Sequence, residues 1–127
     1  NRYKNYLTYF VMYVIVKRFE NNETPYTVED IVTNYRMPIR IVNQIINTLK
    51  KAKIISEVVT DETKTAYQPA IDIHQLTIKT METKIDMRGA ELFLESKNDK
   101  MDAFWQKMLT IQDKTDKINE DILLKDL

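Results

Sequence analysis

The sequence predicts a mainly α-helical chain with one small β-hairpin, and three observations predict it. Residues 38–53, PIRIVNQIINTLKKAK, set Val42, Ile45, Ile46 and Leu49 at i, i+3, i+4 and i+7, one apolar stripe of an amphipathic helix. A shorter helical segment, residues 27–35, precedes it across only Arg36 and Met37, and two short strand-like runs follow it. One Gly and three Pro among 127 residues leave little material for a strand-and-turn architecture. Helix, tight turn, amphipathic helix, hairpin is the order of a winged helix-turn-helix, here with a C-terminal helical extension, and residues 38–53 are its presenting helix. The expected division is 1–89 for this unit and 90–127 for a linker and a C-terminal helix.

The first helix is expected over Tyr3–Glu20. Tyr6, Phe10 and Val14 form one stripe, Leu7, Val11 and Ile15 the adjacent one, with Tyr13 and Val16 widening the arc. Such an arc suits a central core helix, or one that meets another subunit or a further part of the chain; Tyr6 and Phe10 are candidate contacts for the second case. Residues 21–25 read as a polar loop with a proline stop. Thr27, with Asp30 three residues on, forms an acidic variant of the capping box, and Val28, Ile31 and Tyr35 supply the inner face of the second helix. Pro38 suits the first turn of the third, where a missing N–H costs nothing.

Residues 54–60 are short and rich in Ile and Val, hence a strand; Asp61-Glu62-Thr63-Lys64 is a polar turn; 65–68 return, and Pro69 ends the ladder. The tip of this wing carries two acids and one Lys. After an irregular stretch at 71–75, Thr77 is positioned to cap a fourth helix running through Met87, with Ile78, Met81 and Ile85 inside and Gly89 at its left-handed end. Residues 90–98 read as a linker. Asp99 then caps a final helix to about Asn119, on which Met101, Phe104, Trp105 and Met108 are candidate dimer contacts, since a lone helix must bury such residues against something. Residues 122–127 form a last apolar patch, a candidate short helix.

Composition narrows the chemistry. The 43% hydrophobic and 30% charged content is that of an ordinary globular domain. The formal net charge is +0, whereas many nucleic-acid-binding modules are basic. Residues 1–88 carry 13 Lys and Arg against 10 Asp and Glu, and 89–127 carry 6 against 9; the acidic end is read as a solvated face or as a partner for the basic body. The absence of cysteine excludes disulfides, thiolate metal sites and cysteine nucleophiles. His74 is the sole histidine, Ser56 and Ser96 lack a nucleophile-elbow context, and one glycine cannot build a phosphate loop. No catalytic residue, metal ligand, cofactor or small-molecule substrate is expected, and the chain is read as a non-enzyme. The apolar run at 6–16 is about half the length of a membrane span. Asn1 opens in mid-pattern, so a piece of a longer protein is expected.

What remains is the outward face of the presenting helix. Asn43, Gln44 and Asn47 have the amides that pair with adenine, and Arg40 the fork that pairs with guanine. Arg36, Lys50, Lys51 and Lys64 are candidates for phosphate contacts. The alternative is that any exposed helix stripe must be polar.

Two family resemblances fall on these residues. Residues 27–58, then YQPAIDIHQLTI at 67–78, Gly89, Phe104-Trp105 and the closing ILLKDL resemble the iron–sulfur-responsive winged-helix repressor family, in which a presenting helix precedes a wing and a long dimerising helix. That family holds its cluster through cysteines, which this chain lacks. FENNETPYTVEDIV at 19–32, MPIRIV at 37–42 and AYQPAIDIHQLTI at 66–78 are similar to the cytoplasmic C-terminal extension of the YihY/virulence factor BrkB (ribonuclease BN-like) membrane-protein family, over residues 2–89. That second resemblance implies a non-catalytic interaction or regulatory domain on the cytoplasmic face of a bacterial inner membrane. Its partners would be the membrane-embedded part of the same chain and a second copy. The first implies a sequence-specific DNA-binding regulator, with DNA as partner.

Overall fold

The computed structural model describes residues 2–94 and 122–127, with side chains over 6–86 and 122–127. Helix α1, Arg2–Glu20, runs through the middle of the molecule. Val11, Met12, Val14, Ile15 and Val16 are all buried, so the helix is enclosed on nearly every side, as its broad apolar arc predicts. Met12 lies outside the stripes read from spacing; its unbranched thioether fills the core where no branched side chain was patterned. Tyr6 and Phe10, by contrast, stay open to solvent.

The loop after α1 turns at Asn22, whose φ is 56°. Arg18 holds it: Nε donates to the Thr24 carbonyl at 2.8 Å, and the guanidinium lies 4.4 Å from the centre of the Tyr26 ring. Tyr26 then forms a single antiparallel bridge to Tyr67, whose N–H donates to the Tyr26 carbonyl at 3.0 Å.

Helix α2, Val28–Tyr35, starts on the expected capping box. Thr27 Oγ1 accepts from the Asp30 N–H at 3.1 Å, and Asp30 Oδ2 accepts from the Thr27 N–H at 2.9 Å. Val28 and Ile31 face inward, whereas Tyr35, expected with them, lies on the rim against Phe10 and Tyr26. Arg36 closes the helix in the left-handed region (φ 53°, ψ 43°), and Met37 drops into the core. Helix α3, Ile39–Lys51, follows at once. Pro38 is its N-cap, one position earlier than expected, and its carbonyl accepts from Ile41 and Val42. The Val42, Ile45, Ile46, Leu49 seam is buried throughout, as its spacing requires.

Lys53, at φ 60°, reverses the chain, with the Ile54 N–H returning to the Leu49 carbonyl at 3.0 Å. Strands β1, Ile55–Val59, and β2, Thr65–Pro69, pair antiparallel from Ile55↔Pro69 to Val59↔Thr65. Pro69 therefore stands inside the register as the last residue of β2 rather than beyond it. It is tolerated because a strand end needs no further donor there. The turn is closed by the Thr60 N–H on the Lys64 carbonyl, with Thr63 at φ 63°.

Residues 70–76 are irregular. Asp72 Oδ1 accepts from the His74 N–H at 2.9 Å, which holds its carboxyl below the ordinary value. Thr77 caps helix α4, Ile78–Leu94, accepting from the Thr80 N–H at 3.0 Å. Here an expectation fails: α4 does not stop near Met87 with Gly89 as a left-handed terminus but continues through Gly89 to Leu94. Residues 90–94, read as the start of a linker, are thus helical. A single glycine weakens a helix without ending it when the flanking residues favour helix. The final helix over 99–119, with Met101, Phe104, Trp105 and Met108, lies outside the described residues.

The chain returns at residues 122–127. The Ile78 N–H donates to the Ile122 carbonyl, and the Leu124 N–H to the Leu76 carbonyl. These bonds zip the segment along the entry to α4. The short helix expected here is a 3₁₀ turn, Leu124–Asp126, with Leu124 fully buried against α1.

Candidate nucleic-acid interface

Helix α3 presents its outward face because its inward one is committed. The four seam residues leave Arg40, Asn43, Gln44, Asn47, Lys50 and Lys51 in solvent, all of them exposed. Asn43, Asn47 and Lys50, spaced i, i+4 and i+7, form the row on one edge; Arg40, Gln44 and Lys51 form the next. From Arg40 to Lys51 the face is roughly 16 Å long at helical rise. Arg36 is exposed at the turn that delivers α3.

The hairpin flanks this face. A groove of about 530 Å³ opens between the start of α2, Asn43 of α3, and Lys64 and Tyr67 of β2. It joins two residues, Asn43 and Lys64, that are 21 positions apart in sequence. Its far wall is acidic, formed by Glu29 and Asp30.

Two of the expected phosphate contacts are already matched by acids of the wing. Lys50 Nζ donates to Glu57 Oε1 on β1, and this carboxylate raises the Lys50 pKa above its ordinary value. Lys64 Nζ lies 3.3 Å from Glu62 Oε2 at the tip. Among the described residues, no ion pair engages Arg36, Arg40, Lys51 or Lys53. Sequence reasoning missed Glu57 because its approach to Lys50, seven residues away, depends on the reversal at Lys53. It missed the acidic wall because Asp30 reads only as a capping residue and Glu29 carries no periodic or capping signal.

No group of three or more His, Asp or Glu among the described residues is placed to hold a metal ion. No helix among them is long and apolar enough to cross a membrane. The candidate partner contact Tyr6 is 63% exposed, and Phe10 packs edge-on to Tyr35 with ring centres 5.1 Å apart. The remaining candidates, Met101, Phe104, Trp105 and Met108, lie outside the described residues.

The arrangement of α2, α3 and the paired hairpin has counterparts among solved structures. A Listeria innocua protein assigned as a transcriptional regulator superposes with a TM-score of 0.62 at 14% identity, covering 97% of this chain and 81% of its own. CymR (YrzC), the global cysteine regulator of B. subtilis, does so with a TM-score of 0.60 at 16% identity, over 98% and 89%. The fold is that of winged-helix regulators. No protein-family model matches the sequence, and no curated protein matches it. Both structural neighbours are described as regulators. Nothing found supports the resemblance to the YihY/BrkB family.

Proposed function

We propose that this chain is a non-catalytic winged-helix transcriptional regulator that binds duplex DNA through α3. The observation that carries this is the exposed face bearing Arg40, Asn43, Gln44 and Asn47, held outward by a fully buried seam and flanked by the hairpin. The amides and the guanidinium on this face are the groups that pair bidentately with adenine and guanine edges. Arg36 and Lys51, at opposite ends of the face, are assigned to phosphates, whereas Lys50 and Lys64, nearer the wing, are met by Glu57 and Glu62. In this proposal residues 1–89 carry the DNA-binding unit, and 90–127 extend α4 toward a dimerising helix bearing Met101, Phe104, Trp105 and Met108. A second copy would give two presenting helices, as paired half-sites require.

The alternative, a domain attached to the cytoplasmic face of a membrane through the rest of its own chain, rests on a sequence resemblance alone. The regulator reading is supported by both structural neighbours.

With a net charge of +0, long-range attraction to DNA is weak, so binding should be detectable first at low salt. The test is fluorescence anisotropy with labelled mixed-sequence duplex at ~50 mM salt. Binding is expected, and Lys51→Glu should weaken it while reducing the slope of log K against log salt by about one. Absence of binding under these conditions overturns the proposal.

A further inference from the structure

Lys50 belongs to the same edge of α3 as Asn43 and Asn47, yet it is the one cation of that row and its charge is met from the hairpin. The reversal at Lys53 brings β1 back beside the last turn of α3, so that Glu57 Oε1 accepts a hydrogen bond from Lys50 Nζ. The pair is at the surface, with side chains 40% and 49% exposed, so it contributes nothing the fold depends on. Its position beside the base-reading row is what gives it meaning.

We propose that Glu57 is a specificity-determining residue: by holding Lys50 it keeps one cation of the presenting helix off the phosphate backbone, and so lowers affinity for DNA of any sequence. This inference rests on the DNA-binding reading of α3. A phosphate contact adds affinity without sequence information, whereas amide contacts to base edges carry it. Withdrawing a lysine from the first kind raises the share of binding that depends on the second. Glu57 acts through Lys50 and touches no base; it is a positioning residue. Lys51 has no such partner among the described residues and remains the phosphate contact at that end of the helix.

The test is a double-mutant cycle of Glu57→Gln and Lys50→Met, read with the same mixed-sequence duplex across a salt series. Glu57→Gln should tighten binding by roughly two- to fivefold, the range that a broken exposed ion pair spans. It should also steepen the salt slope by about 0.9, as one more phosphate is engaged. Lys50→Met should change little in the parent chain but abolish the gain made by Glu57→Gln. If Glu57→Gln leaves affinity and slope unchanged, or if the gain survives in the double mutant, the inference is overturned, because the effect is then one of bulk charge or of nothing. If wild type and all variants fail to bind at ~50 mM salt, the DNA-binding reading itself falls and takes the inference with it. Binding by the wild type with no response to Glu57→Gln removes the inference alone. Thermal melts of all four chains should coincide, since both side chains lie on the surface.

Discussion

Tyr35 shows how a residue can be legible as apolar yet misplaced. Its spacing from Val28 and Ile31 puts it on the inner face of α2, but the helix ends there, and the ring turns to the rim. It meets Phe10 and Tyr26 edge-on at 5.1 and 6.1 Å, and its hydroxyl lies 3.1 Å from that of Tyr26. Burial, then this hydrogen bond, pushes its pKa from 10.0 up to about 12. The neutral phenol is thus the form the folded chain prefers. Its contribution to stability is complete below the ordinary value and is lost as the pH climbs from there toward the raised one. Ultraviolet titration should therefore show a tyrosine that ionises late, and Tyr35→Phe should remove that late phase and flatten the alkaline fall in melting temperature.

At the scale of elements, the sequence carried most of what positions the candidate interface. The α3 seam, the Thr27–Asp30 box and the β1–β2 hairpin depend on residues at most a few turns apart, so spacing and capping chemistry determine them. The box can be tested directly. Thr27→Ala removes one arm and should destabilise the chain by about 1 kcal/mol in thermal or denaturant melts, whereas Asn47→Ala on the exposed face should cost less than about 0.5 kcal/mol. What spacing could not supply is set by tertiary neighbours. Gly89 is a helix terminator by local chemistry, but α4 passes through it. Pro69 ends a strand by local chemistry, yet it is paired with Ile55 because it occupies the last position of the ladder. The Lys50–Glu57 pair and the Tyr26–Tyr67 bridge join residues that only the folded hairpin brings together. The outward polar row was legible; the acids that neutralise part of it were not.

At the scale of the molecule, the core is a single cluster to which α1, α2, α3, β1, the start of α4 and the terminal turn all contribute. Leu124 is the outlier in sequence and is wholly buried in that cluster. Leu124→Ala should lower stability by about 2–5 kcal/mol, while Ile122→Ala, at a position that is exposed, should change it by less than about 1 kcal/mol. Near-equal effects at the two positions would mean that the segment is not docked as described. Lys17 reaches the same segment, donating to the Lys125 carbonyl at 3.3 Å, and Lys125 lies 4.0 Å from Glu20.

The docking of residues 122–127 has a consequence for how the protein is made. A ribosome delivers α1 about a hundred codons ahead of Leu124. Throughout that interval the face of α1 that Leu124 will cover stays open, so the nascent polypeptide emerges with its central helix incompletely shielded. Completion of the core waits on translation of this closing segment, and a stalled or shortened message that omits Leu124 would release a product with that hole unfilled.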